Sequence, residues 1–155
     1  MRRLSIALAC ACWLFTGAAR ATFGDERALQ DIQTLWDGMQ AAANAHDTER
    51  FLAPFRHDEN LVFAIDGKLI RGWDALHAQQ LIWWQNGKAS GVYTQEGQTE
   101  FLTLAPDAVV STARLTSRRK QADGQLTASM FVVTLVWKKS ADNWQVVYGH
   151  ESWGR

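Results

Sequence analysis

Cysteine is nearly missing: the 155 residues hold two, Cys10 and Cys12, and both fall within the first 21. A chain cut after Ala21 therefore has no disulfide, no thiol nucleophile and no thiolate metal site. Histidine is sparse as well, four residues with no H-x-x-x-H spacing. No glycine-rich phosphate loop or nucleophile elbow occurs, so metal, nucleotide and hydrolase chemistry find little support. Charge is also without surplus, with 16 basic and 16 acidic residues. Loss of Arg2, Arg3 and Arg20 takes the basic count from 16 to 13 against 16 acids, a net charge of −3. That balance leaves no electrostatic footprint for nucleic acid or an anionic membrane. The apolar run from Leu4 to Phe15 is too short to span a bilayer comfortably.

That run instead fits a secretion signal. Arg2 and Arg3 form a basic n-region, Leu4 to Phe15 an h-region, and Ala19-Arg20-Ala21 an A-x-A cleavage site. The expectation is a signal peptide over 1–21, a single domain over 22–155, and a secreted, periplasmic protein with no membrane attachment after cleavage.

What the chain does have is tryptophan: eight, of which all but Trp13 lie beyond residue 21. Side chains of that size bury large areas and often line ligand cavities, although core filling alone explains many of them. Ala28, Leu29, Ile32, Leu35, Trp36, Met39 and Ala43 recur at spacings of three and four, which predicts a helix from a cap at Asp25 to about Ala45. His46 follows at its carboxyl end, where a cation would suit the helix dipole. A short helix after Asp47 ends near Pro54. Leu61 to Ile65 and Lys68 to Arg71 read as a hairpin about Asp66-Gly67. A third helix is predicted over 73–86, stopping at Gly87. Its last turn, Leu81-Ile82-Trp83-Trp84, is apolar all round and must be covered on several sides or roof a cavity.

From Gly91 onward the period is that of strands, about 91–104, 108–119, 126–139 and 143–153. Helices followed by an antiparallel meander predict an α+β fold. In the third of these strands Ser129, Phe131, Val133, Leu135 and Trp137 share one face, with Met130, Val132, Thr134 and Val136 on the other. Both faces are apolar while the helices can cover only one. The back of the sheet is therefore expected to meet a second copy, as a homodimer.

The last strand carries the site expectation. Strict alternation puts Trp144, Val146, Tyr148, His150 and Ser152 on one face, apolar at its start and polar at its end. Such a face would run from a core into the mouth of a cavity. Glu151 would point the other way, to solvent or a partner. An imidazole can donate or accept a proton, which makes His150 the candidate catalytic group; alternatively it bonds a backbone carbonyl and holds the strand end.

The element order, the Asp66-Gly67-x-x-x-x-Gly72 spacing and the ending Trp144-x-Val146-x-x-x-His150-x-Ser152 resemble the SnoaL-like branch of the nuclear transport factor 2-like superfamily. The resemblance spans nearly all of residues 22–155. It implies a cone-shaped curved antiparallel sheet wrapped round the amino-terminal helices, a pocket at the open end, and dimers through the outer face of the sheet. It also implies one of several roles: an enolising isomerase, cyclase or dehydratase, a binding protein, or an association domain. The enolising members use a pocket carboxylate as base with donors facing the enolate. No residue-by-residue match to an acid-plus-tyrosine signature is found here.

The reading that follows is a secreted dimer binding a small, partly apolar or carbonyl-containing molecule, with no cofactor and no metal. Trp83, Tyr93 and Trp144 would form walls, and Arg114, His150 and Ser152 the polar end. Arg114 interrupts a face reading Ala108, Val110, Thr112, Thr116, and either enters the cone to meet an anion or lies outward in solvent. Asp66 reads as a turn former, Glu96 and Glu100 as a pair on one strand face, and His57 and His77 as isolated. The alternatives are an enolising enzyme with His150 as general base, and a non-catalytic dimerisation module.

Overall fold

A computed structural model describes residues 26–121, 123–141 and 143–154; the expected signal peptide and the Asp25 cap lie outside them. Helix α1 runs Glu26–Ala45 and α2 Thr48–Leu52. The hairpin strands are β1, Val62–Ile65, and β2, Lys68–Arg71, followed by α3, Trp73–Trp83. Four long strands complete the chain: β3 Val92–Ala105, β4 Ala108–Lys120, β5 Leu126–Ser140 and β6 Asn143–Trp153.

The local signals explain most boundaries. Asp47 caps α2 by accepting from the Arg50 backbone N–H at 3.1 Å, which satisfies one of the donors a helix start leaves open. Asp66 and Gly67, at φ of 47° and 75°, supply the left-handed pair that a two-residue hairpin requires. The third helix is shorter than its apolar pattern predicts. It ends at Trp83, and Gln85, Asn86 and Gly87 all take positive φ, so the chain turns away three residues early.

The six strands form one sheet in the order β2-β1-β6-β5-β4-β3. Every neighbouring pair is antiparallel except β1 and β6, which run parallel with Phe63 opposite Gly149 and Ile65 opposite Glu151. This is the expected α+β architecture, a curved sheet closed over the amino-terminal helices. In β5 the expected faces hold: Phe131, Val133, Leu135 and Trp137 are buried, whereas Met130 and Val132 are exposed.

The core lies between the inner sheet face and α1. Ile32, Trp36 and Met39 from α1 meet Val109, Leu135, Trp137 and Val146 from the sheet. Trp137 is fully buried, and its indole N–H donates to Ser111 Oγ at 2.8 Å, so its polar atom is satisfied. At the far end α1 is tied to the sheet by polar contacts. Trp36 Nε1 donates to Gln95 Oε1 at 2.7 Å, and the Asn44 side chain bonds both the N–H and the C=O of Tyr93, at 2.8 and 3.0 Å.

Candidate functional site

A cavity of about 430 Å³ opens between α1, α3 and the inner sheet face. That is within the size range of small-molecule sites. Its walls are largely aromatic, with Trp36, Phe51, Trp83, Trp84, Tyr93, Phe131 and Trp153 among them. Its polar groups are Gln40, Asp66, Gln80, Arg119, Gln121 and Glu151, with a line of small hydroxyls on β4 and β5.

The face of β6 that meets this cavity differs from the sequence expectation. Trp137 of β5 stands opposite Val146, but the next residue, Val136, stands opposite Tyr148. Val147 is therefore extra, a β-bulge. One extra residue inverts every side chain beyond it. Before the bulge Trp144 and Val146 face inward, as expected. After it the inward set is Gly149, Glu151 and Trp153, opposite the buried Leu135, Val133 and Phe131. Tyr148, His150 and Ser152 face outward.

The expected site residues divide accordingly. His150 is exposed on the outer face between Thr134 of β5 and Ala64 of β1, and Ser152 is exposed beside Val132. Neither meets the cavity. Arg114 also stands outward, between Glu96 and Val132, in the solvated position rather than inside the cone. Trp144 belongs to the core below the cavity rather than to its wall, with its indole N–H buried and unpartnered among the described residues. Trp83 and Tyr93 do line the cavity. Glu151, assigned to solvent or a partner on the sequence, points into it. Asp66 forms its turn and also reaches the cavity rim. Glu96 and Glu100 lie on the outer face. His57 and His77 are not isolated: both stack on Trp73, at 3.8 and 4.7 Å, on a corner away from the cavity, and His77 also pairs with Glu49.

Glu151 is the group with unusual electrostatics. Burial among aromatic walls disfavours its charge and pushes its pKa up to about 7. The nearby Asp66 carboxylate acts in the same direction, while a hydrogen bond from Trp153 Nε1 at 3.2 Å and the Arg119 charge oppose it. A carboxyl poised there can accept or give a proton at neutral pH. Across the cavity the Tyr93 hydroxyl receives Trp84 Nε1 at 3.1 Å and Arg119 Nη2 at 3.4 Å. Arg119 also lies over the Trp153 ring, 5.9 Å from its centre, and Trp153 stacks on Phe131 at 4.2 Å. The cavity thus combines an acid, a phenol and a guanidinium on apolar walls. Among the described residues no group of three or more potential metal ligands is brought together.

One sequence signal pointed to Glu151. Gly149 interrupts the strand, and an interior strand glycine often marks a bulge or a close backbone approach. Both occur here, since a Cβ at Gly149 would fall 2.5 Å from the Phe63 ring. Read with one residue slipped, the strand is aromatic at both ends, Trp144 and Trp153, and carries an acid between.

No family model matches the chain, and no curated protein matches it significantly. Solved structures do. A nuclear transport factor 2-like protein of unknown function from Shewanella oneidensis is 23% identical, covering 81% of this chain and 98% of that one, with a TM-score of 0.66. A nuclear transport factor 2-like superfamily protein from Salmonella enterica serovar Typhimurium is 18% identical over 82% and 91%, with a TM-score of 0.70. The association domain of a Caenorhabditis elegans kinase, CaMKII, is 18% identical over 82% and 96%, with a TM-score of 0.66. At such identities the likeness concerns shape and not chemistry. Taken with the curved six-stranded sheet closed over α1, it establishes that this chain has the nuclear transport factor 2-like fold.

Proposed function

We propose that this chain is a secreted, SnoaL-like protein that binds one small, flat, partly apolar molecule in the cavity beneath Trp83 and Tyr93. The observation that carries the reading is the aromatic cavity of about 430 Å³ with the Glu151 carboxyl, its pKa raised to about 7, inside it. Aromatic walls recognise flat apolar surface, and the polar groups fix its orientation. Export to the periplasm rests on the amino-terminal signal. Association of two copies rests on the exposed outer face, where Leu102, Met130 and Val132 stand clear of any helix.

A second reading, an enolising enzyme, is favoured by Glu151 itself. The general base would then be Glu151 and not His150, with the Tyr93 hydroxyl as donor to the oxyanion formed when a proton leaves the carbon beside a carbonyl. Both readings are tested on one set of compounds. Thermal shifts against a library of flat carbonyl compounds and acids should yield stabilisers whose effect is lost in Trp83→Ala; a library without any stabiliser ends the binding reading. Stabilising compounds are then followed for exchange of their α-protons with deuterated water. Exchange with an inflection near pH 7 that disappears in Glu151→Gln supports the enzyme, and its absence leaves a binding protein.

A further inference from the structure

The binding reading names a shape for the ligand, and the far wall of the cavity adds a charge. The Tyr93 hydroxyl accepts from both Trp84 Nε1 and Arg119 Nη2, at 3.1 and 3.4 Å. A phenol oxygen has two lone pairs and one proton. With both lone pairs engaged, the proton is left to donate, and no acceptor for it is found among the described residues. Arg119 is in the same position. It gives one N–H to Tyr93 and rests on the Trp153 ring, but no carboxylate lies within ion-pair distance of it among the described residues. Two donors therefore stand side by side at the cavity wall, Tyr93 half-buried and Arg119 exposed at the mouth, with no acceptor between them among the described residues. Gly91 borders the pair closely: a Cβ there would lie 3.4 Å from Arg119 Nε and 3.5 Å from Tyr93 Oη.

We propose that the cavity selects flat ring compounds bearing a carboxylate, seated so that the carboxylate spans the Arg119 guanidinium and the Tyr93 hydroxyl while the ring lies against Trp153, Phe131 and Trp83. The inference rests on the binding reading. A carboxylate matches the planar fork of a guanidinium, and a charge-assisted pair with Arg119 favours an anion over a neutral group. A dianion is disfavoured by the two acids that share the cavity, Asp66 from the β1–β2 turn and Glu151 from β6. An ammonium would meet Arg119 head on.

The acids also give the binding a signature. A ligand carboxylate in this cavity repels the charged form of Glu151, and Asp66 adds to the repulsion, while the Trp153 hydrogen bond and the Arg119 charge from β4 oppose it. Binding near pH 7 should then draw a proton onto Glu151, since its pKa of about 7 leaves it half ionised beforehand.

The test uses one ring with three charges: 2-naphthoate, 2-naphthamide and 2-naphthylmethylammonium, titrated calorimetrically into the chain covering residues 22–155. Naphthoate should bind about tenfold or more tightly than the amide, with the ammonium weakest. Arg119→Gln should remove that preference, read as the ratio of naphthoate to amide affinity in the same variant; Arg119→Lys, which keeps the charge without the fork, should restore part of it. Proton uptake, read from the dependence of the heat on the buffer, should accompany naphthoate and vanish in Glu151→Gln. Equal binding of amide and naphthoate, or naphthoate binding that ignores Arg119→Gln, overturns the anion site and leaves the cavity reading standing. No binding by any of the three overturns both.

Discussion

Glu151 is where a single side chain sets a property of the molecule. Its folded pKa of about 7 lies above its ordinary value of 4.5, because burial favours the neutral acid. Between these values the folded chain holds a proton that the unfolded chain has released. Stability from this group therefore falls as pH rises from about 4.5, and the loss is complete above about 7. The size is at most about 4 kcal/mol, from roughly 1.4 kcal/mol per pKa unit. Glu151→Gln keeps an acceptor for Trp153 and cannot ionise. Its melting temperature should match the wild type at pH 5 and exceed it at pH 8; curves that stay parallel over that range would show that the carboxyl is not held neutral. His150, by contrast, faces outward, and His150→Ala should leave ligand-induced thermal shifts unchanged.

Single elements were legible in the sequence to differing degrees. The long amphipathic pattern of α1 defines both the element and its buried face, whereas the period-two runs of β3 to β5 define the elements and divide β5 into two faces without telling which one is inward, since Met130 and Val132 are as apolar as Phe131 and Val133. In β6 the decisive residue is Val147. Flanked by Val146 and Tyr148, it looks like any other strand position, and nothing in its chemistry shows that two residues oppose one. The polar end of the outer face was thus mistaken for the mouth of the cavity. The Trp83 to Gly87 turn was hidden differently, since helix propensity cannot register the positive φ of Gln85 and Asn86. The bulge leaves Gly149 under the Phe63 ring, with Leu135 Cδ2 3.2 Å from where a Cβ would stand. Gly149→Ala should therefore cost about 1–3 kcal/mol through overpacking. A urea midpoint that falls in Gly149→Ala and recovers in Gly149→Ala/Phe63→Leu would confirm that this contact is responsible; an unchanged midpoint would refute it.

Across the whole molecule the sheet has one face on the helices and one on water. The outer face carries Leu102 at 62% exposure, Met130 at 57% and Val132 at 38%, with Arg114, His150 and Ser152 set among them. Singly exposed apolar residues are ordinary, but several on one sheet face suit a contact between copies. Val132→Glu should convert a dimer to a monomer in sedimentation velocity without lowering ligand binding, because its side chain does not reach the cavity. A wild type that sediments as a monomer would show that this face stays in water. The fold was legible at this scale because the order of elements survives the slip in β6; the site was not, because it depends on which way one strand faces.

The parallel pairing of β1 with β6 has a consequence for how the chain assembles. The last strand in sequence order occupies an interior place, between the early hairpin and the long meander. Until it docks, those two parts share no backbone ladder, and the pairing that joins them spans some eighty residues of intervening chain, a slow closure for a polypeptide of this size. A chain lacking residues 143–154 would therefore leave the hairpin and the meander unjoined, so the arrival of β6 is the step that completes the sheet.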